Sequence, residues 1–333
     1  TSDRAHLSTP IDPDADLAAR ALFFTIADAP KPDLALAELA RAHLLPQQPV
    51  ILDVGAGCGG WGQTLGSQTS VFAALSGRDA HFAVRAIDRD RRALQIYEAA
   101  MAALPWRDRT RLTLVHGDAG RAELGPPADV IVASGVLNEI GEEPAFELLR
   151  RLLAQLAGGG SLIIVEPALR EVTRALHRLR DRVLAGGLAH VFAPCIRQGP
   201  CPALVDPDDW CHEDRPTELP PRAAELAQVT GLRRHGLKFA YLVLRGEPAA
   251  QVPEPPAPRR ALRAVSRLEV SKGKRQIIGC GHAGWVDVRL LKRRRSDANR
   301  AFEDARRGDV IVVGAADDIG AGDVIDRISV DGS

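Results

Sequence analysis

The strongest constraint on this chain is the alternation of short apolar runs with helical patterns between residues 50 and 166. VILDV (50–54), FAVRAI (82–87), RLTLVH (111–116), DVIVAS (129–134) and SLIIVE (161–166) have the length and β-branched content of buried strands. RRALQIYEAAMAAL (91–104) and EPAFELLRRLLAQLA (143–157) carry apolar residues at helical spacing. Strand–helix alternation predicts an α/β fold built on a doubly wound, mainly parallel sheet. Two helices over 14–44, separated by Pro30 and Pro32, precede it. A further helix over about 168–185 follows, and FAYLVLR (239–245) returns to the sheet.

Composition allows such a core. The 333 residues are 45% hydrophobic and 26% charged, ordinary for a globular protein of two or three domains. No stretch approaches the roughly 18 consecutive apolar residues of a membrane span, so no membrane association is expected. The first residues show no basic start followed by an apolar run. Pro-rich EPAAQVPEPPAPRR (247–260) reads as a semi-rigid linker. The expected organisation is an N-terminal helical segment (1–48), a Rossmann-like domain (49–246) with a Cys-rich loop module (189–216), the linker, and a small basic β domain (261–333). RLEVS, RQIIGC, WVDVRLL, DVIVVG and VIDRISV are the strand candidates of that last unit, which reads as a small barrel or sandwich.

Lys plus Arg and Asp plus Glu both total 43, which argues against nucleic-acid coating by the whole protein. The balance hides an asymmetry. Residues 257–307 hold fifteen basic and five acidic residues, a net +10. Such a segment suits a polyanion; the bland alternative is a solvated basic face.

Gly55, Gly57 and Gly60 fit G-x-G-x-x-G after a strand, and Gly59 shares the loop. The pattern alone fits a nicotinamide cofactor or S-adenosylmethionine (SAM) equally. Asp53, Asp88 and Asp118 lie at the carboxyl ends of three successive strands, where open α/β sheets bind ligands. An acid-lined pocket suits the cationic SAM better than a pyrophosphate. Asp79 lies at nearly the nicotinamide-ribose distance but precedes its strand. Helix capping is the alternative for Asp118. Cys58, inside the loop, reads as a small packing residue. Asn138 and Glu139, in SGVLNEIG, are the candidate catalytic residues beside the methyl group; local capping is their alternative. The Asn/Asp-Pro-Pro-aromatic motif of many nucleic-acid amino-group methyltransferases is absent.

Five cysteines are too few and too odd for a secreted disulfide scaffold. HVFAPCIRQGPCPALVDPDDWCHEDRP (190–216) places Cys195, Cys201 and Cys211 close together, with Cys280 downstream in IIGCGHAG. Four thiolates can hold a [4Fe–4S] cluster or a structural zinc. His190, His212 and His282 keep mixed Cys/His zinc ligation open, although paired C-x2-C knuckles are missing. The tight three-cysteine pattern of radical SAM enzymes is also missing. A site completed by Cys280 would tie the basic unit to the core.

LDVGAGCGG, SGVLNEIG, VEPAL, APCIRQGPCP, DWCHEDR and SRLEVSKGKRQIIGC occur in that order. Together they resemble the methyltransferase-like proteins of mitochondrial small-ribosomal-subunit assembly and their bacterial relatives, over residues of about 15 to 315. The resemblance implies a Rossmann-like SAM-binding fold, a [4Fe–4S] cluster on Cys195, Cys201, Cys211 and Cys280, and association with small-subunit rRNA or its assembly intermediate. It implies a cytoplasmic protein of bacterial type, or a mitochondrial-matrix one in a eukaryote. Ile196 and Glu213 depart from the His and aromatic residue of the family pattern, without removing a thiolate. Three functions follow as expectations: a SAM-dependent rRNA methyltransferase, a non-catalytic rRNA-binding assembly factor, or an iron–sulfur redox sensor.

Overall fold

The structure, a computed structural model, describes residues 12–59, 81–104, 107–231, 236–251 and 253–329. Gly60 and Asp79 lie outside these residues, as do the first eleven of the N-terminal segment.

The first lobe is built on β1 (Val50–Val54), β2 (Phe82–Asp88), β3 (Thr110–His116), β4 (Ala128–Ser134) and β5 (Leu156–Pro167), parallel in the order β3-β2-β1-β4-β5. β6 (His190–Ala193), β7 (Glu213–Arg215) and β8 (Leu237–Arg245) extend it: β8 runs antiparallel to β5, and both short strands pair with β8. The helices are α1 (Pro13–Ala19), α2 (Thr25–Asp28), α3 (Lys31–Arg41), α4 (Arg91–Ala102), α5 (Glu142–Ala154), α6 (Arg170–Ala185) and α7 (Pro221–Thr230). A sheet buried on both faces needs apolar residues at successive positions, which is why β1 reads as an unbroken run. Ile51 packs with Leu34, Leu36 and Leu39 of α3 on one face. Leu52 and Val54 pack with Leu148 and Leu152 of α5 and Leu176 and Leu179 of α6 on the other. Each such buried aliphatic side chain contributes roughly 1.5–3 kcal/mol. The Asp90 carboxylate caps α4 by accepting the Arg92 and Ala93 N–H groups at 2.9 and 3.2 Å. Leu94, Tyr97 and Met101 then fall on one α4 face against Ala86. β1 lies between β2 and β4, so the strand order reverses there, the position at which open α/β sheets bind ligands beyond the carboxyl ends.

The second lobe is one seven-stranded sheet: β9 (Arg260–Ala264), β10 (Glu269–Val270), β11 (Lys274–Gly281), β12 (Gly284–Leu291), β13 (Val310–Val313), β14 (Asp318–Ile319) and β15 (Asp326–Ile328). Its order is β14-β12-β11-β9-β13-β15, with β10 on β11. The sequence suggests a barrel or sandwich; among the described residues the ladder is an open sheet. The reason lies in its two faces. Leu262, Ile277, Val288, Ile311 and Val313 surround Phe302. The alternate residues Ala261, Val310 and Val312 pack against Ile196 of the Cys-rich module. The other lobe therefore covers a face that a second sheet would otherwise cover.

A buried ion cluster joins the lobes. Arg263 of β9 donates to Glu38 of α3, to Glu213 of β7 at 3.2 Å, to the Tyr241 hydroxyl at 2.7 Å and to Gln251 Oε1 at 3.2 Å. The side chains of Arg263, Glu38 and Glu213 are 3, 2 and 7% exposed.

Candidate functional site

The glycine loop leaves β1 in a conformation that excludes side chains. Gly55 has φ +65°, and a Cβ there would lie 2.4 Å from Val136 Cγ2. At Gly57 (φ +52°) a Cβ would meet nothing among the described residues closer than the Gly55 carbonyl at 4.0 Å, and the missing side chain lets a ligand approach the backbone. Gly59 sits over the Tyr97 ring. Asp88 ties the loop to β2: its Oδ2 accepts the Gly57 N–H and its Oδ1 the Asp90 N–H, both at 2.8 Å. Each carboxylate oxygen keeps a further lone pair.

Asp53 is buried in β1, and its Oδ2 has no hydrogen-bond partner. Burial pushes its carboxyl up to about 7; the Tyr97 hydroxyl offsets part of this and Asp88 adds to it. Asp53, Gly55, Gly57, Gly59 and Asp88 thus converge at the strand-order reversal. Asp118 stands two residues beyond His116, which pairs with Asp88 across β2 and β3. It is exposed, and its Oδ1 accepts the Gly120 N–H at 2.8 Å, which shapes a turn. Cys58 packs with Leu17 and Ala93.

Asn138 and Glu139 occupy a single 3-10 turn, Leu137–Glu139, after β4, and both are exposed. Glu139 pairs with Arg89 at 2.9 Å. Neither caps α5: Gly141 holds the N-cap position and no side chain bonds there. The sequence reading missed Glu166, at the end of β5. It is 1% exposed, and its Oε1 accepts the Leu137 N–H at 2.9 Å. Its Oε2 has no partner, and burial pushes the carboxyl up to about 7 despite the nearby N–H groups of Leu137, Asn138 and Val136. The signal was an acid interrupting the apolar run SLIIVEP.

The Cys-rich module, read from sequence as a loop, is anchored at both ends. β6 leads into Cys195 and β7 follows Cys211, and both pair with β8. One side of α6 organises the segment between them. Arg174 donates to the carbonyls of Ala203, Asp206 and Asp209 at 2.8, 2.6 and 2.7 Å. His177 donates from Nε2 to the Cys211 carbonyl at 3.2 Å. Arg180 donates to the carbonyls of Gly199 and Arg197 at 2.9 and 2.7 Å, and Asp181 accepts the Cys201 N–H at 2.9 Å. The result is a cavity lined by Cys195, Cys201, Cys211 and Cys280 together, with Arg180, His177 and His212. Cys280 enters from β11, where it faces Arg263 of β9 in register. Trp210 stacks on His212 with ring centroids 5.6 Å apart. Of the other candidate histidines, His190 lies in β6 and His282 is exposed in the β11–β12 turn.

Burial pushes the Cys201 and Cys280 thiols up to about 12, and Cys211 well above the usual thiol range, with Cys195 adding to each shift. His177 and His212 are pushed down to about 4, mainly by burial. Buried thiols this close become thiolates only beside a strong positive charge, which is what a metal centre supplies. Among the described residues, no group of three or more His, Cys, Asp or Glu side chains is arranged to hold one metal ion.

The basic segment is less free than its count suggests. Arg259 pairs with Asp326, Arg260 with Asp317 and Arg289 with Asp318, while Arg275 and Arg295 both reach Glu303. Lys292 and Arg293 are exposed on a single turn. No helix among the described residues is long and apolar enough to cross a membrane.

Residues 35–312 match the family described as mitochondrial small ribosomal subunit Rsm22. No curated protein is detectably similar in sequence. Several solved structures resemble this one at a distance. A Listeria monocytogenes protein described as a class I S-adenosylmethionine-dependent methyltransferase is 16% identical, with a TM-score of 0.44 over 70% of this chain and 63% of that one. The chain thus spans just under two thirds of that protein. The SAM-bound magnesium protoporphyrin IX methyltransferase of Synechocystis is 13% identical, with a TM-score of 0.42 over 72% and 93% of the two chains. The plantazolicin methyltransferase BamL is 10% identical, with a TM-score of 0.44 over 73% and 94%.

Proposed function

The chain belongs to the Rsm22 family of the mitochondrial small ribosomal subunit, and from that premise we propose a SAM-binding, methyltransferase-like protein that acts with small-subunit rRNA and carries a [4Fe–4S] cluster. The observation that carries the proposal is the convergence of Cys195, Cys201 and Cys211 from one lobe with Cys280 from the other on a single cavity. A cubane spreads its thiolates over four corners, wider than the ligand shell of one ion. Four cysteines around one cavity offer one thiolate for each iron of a cubane, and the paired C-x2-C knuckles of many zinc ribbons are missing. When bound, the cluster would supply the positive charge that makes these thiols thiolates. Cys195, Cys201, Cys211 and Cys280 would hold it, and Arg180 would face its negative sulfur shell.

Support for SAM comes from Gly57, which puts no side chain in a ligand's way, and from Asp88, whose remaining lone pairs suit ribose hydroxyls; Asp53 lies beneath them at the end of β1. Asp118 would contribute from the next strand end. The turn Lys292–Arg294, with Lys292 and Arg293 exposed, is the part of the basic segment most suited to RNA phosphates. Catalysis, where it occurs, consists chiefly of holding the acceptor in line with the sulfonium methyl.

The test combines three measurements on protein purified anaerobically: iron and sulfide content, SAM titration, and transfer of labelled methyl to small-subunit rRNA and its precursors. The proposal expects four irons per chain, the number in one such cluster. It also expects SAM binding that Asp88→Ala abolishes. Zinc in place of iron, or SAM binding indifferent to Asp88, would overturn it. A second reading, a non-catalytic assembly factor, is favoured by the Glu139–Arg89 ion pair and the exposure of Asn138, which engage one candidate with a surface arginine and leave the other in solvent. It expects SAM and RNA binding without methyl transfer, and subunit maturation that survives loss of SAM binding.

A further inference from the structure

A second cavity, of about 140 Å3, opens between the Leu137–Glu139 turn, α5 and α6. Its walls are aliphatic, with Leu137, Val172 and Leu176 among them, and Glu166 lines it too. Glu142 and Glu171 are its other acids; Glu142 pairs with Arg178 at 2.9 Å. The cavity adjoins the glycine loop, because Val136, which closes on Gly55, precedes Leu137 in the chain. The deciding observation is Glu166 Oε2, a buried acceptor without a donor. An unsatisfied buried oxygen costs free energy that a donor entering the cavity would recover. Phosphate or carboxylate ligands would meet three acids. A purely apolar ligand would leave the oxygen unpaired.

We infer that this cavity binds an aliphatic cation, a primary ammonium carried on a stem of several methylenes, with the ammonium on Glu166 and the stem along the Leu137, Val172 and Leu176 walls. Such a group is carried by a lysine side chain of a protein partner or by a free polyamine. The geometry fits as the aliphatic stems of long cations generally do, apolar along their length and polar at the tip. Burial holds the Glu166 carboxyl high when the cavity has no cation, and an ammonium would stabilise its ionised form. The inference goes beyond the proposed function and stands independently of SAM or cluster binding.

The experiment titrates the full chain with Nα-acetyl-lysine N-methylamide and with putrescine, following ligand signals by saturation-transfer NMR, with n-butanol and butyrate as controls. Saturable binding of at least one amine, in the millimolar range of a fragment, is expected. Glu166→Gln keeps an oxygen for the Leu137 N–H but removes the charge, and should weaken binding by about tenfold or more, as loss of a charge-assisted hydrogen bond does. Ala175→Phe fills the cavity without touching Glu166 and should abolish binding, so the test survives if the first variant misfolds. Preference for the lysine amide identifies a protein side chain; preference for putrescine identifies a polyamine. Failure of both amines to bind, equal binding of n-butanol, or amine binding undiminished in a folded variant would overturn the inference.

Discussion

Replacing Arg263 with Met removes the cation that bridges Glu38, Glu213 and Tyr241 across the lobes, and leaves Glu213 with Arg215 at 3.3 Å. Both carboxylate side chains are under a tenth exposed, so water cannot take the place of the guanidinium. Breaking a buried pair from one side costs about 3–5 kcal/mol, because the charge left behind, here that of Glu38, stays buried and uncompensated. Against a typical stability of roughly 5–15 kcal/mol this is a large fraction. The cost should fall on the lobe boundary, where β9 meets α3 and β7. Arg263→Met should therefore lower the urea midpoint and expose the 247–260 linker to limited proteolysis. Adding Glu38→Gln should recover part of the loss, since it removes the stranded charge. Arg263→Lys should be intermediate, because a single ammonium cannot reproduce the forked contacts. A loss below about 1 kcal/mol, the range of ordinary surface substitutions, would refute the claim that this cluster holds the lobes together.

Asp53 has a folded-state carboxyl raised to about 7 from 3.8, so its contribution favours the folded state below about pH 4 and is lost as pH rises through about 7. Subtracting the pH profile of Asp53→Asn stability from that of the wild type should leave a downward slope over that window, and a flat difference would refute it. Gly55→Ala must place a Cβ against Val136 at positive φ, so it should destabilise the fold by about 1–3 kcal/mol and abolish SAM binding, both readable by thermal melting with and without SAM. Cys280→Ala should abolish iron incorporation during anaerobic purification while the isolated first-lobe thiols remain; retained iron would exclude a shared centre. Neutralising Lys292, Arg293 and Arg294 should reduce the slope of log affinity against log salt for single-stranded RNA by about 2, at roughly 0.7 per phosphate contact. An unchanged slope would mean that this turn is merely solvated.

Much of the first lobe is legible in the chain because its signals are local. VILDV followed by GAGCGG forms a strand and a glycine turn, and Asp53 and Asp88 end neighbouring strands as their positions suggest. The exposed Asn138 and Glu139 were less legible, since the residue that organises their turn, Glu166, lies on the next strand and bonds Leu137 through space. The pairing within the basic segment was hidden for a similar reason. Arg259, Arg260 and Arg289 pair with Asp326, Asp317 and Asp318, which lie beyond the window in sequence but adjacent across the sheet.

The sequence by itself determined the alternation that makes the parallel sheet, the glycine turn, and which residue types are available for chemistry. Those follow from side-chain periodicity and backbone sterics, which act over a few residues. Only the tertiary structure decided that β8 clamps both ends of the cysteine module, that Cys280 lines the same cavity as Cys195, Cys201 and Cys211, and that Arg263 sits between Glu38 and Glu213. Contacts between residues as far apart as 38 and 263 depend on how two sheets cover each other's exposed faces, a choice made by packing and burial over the whole chain.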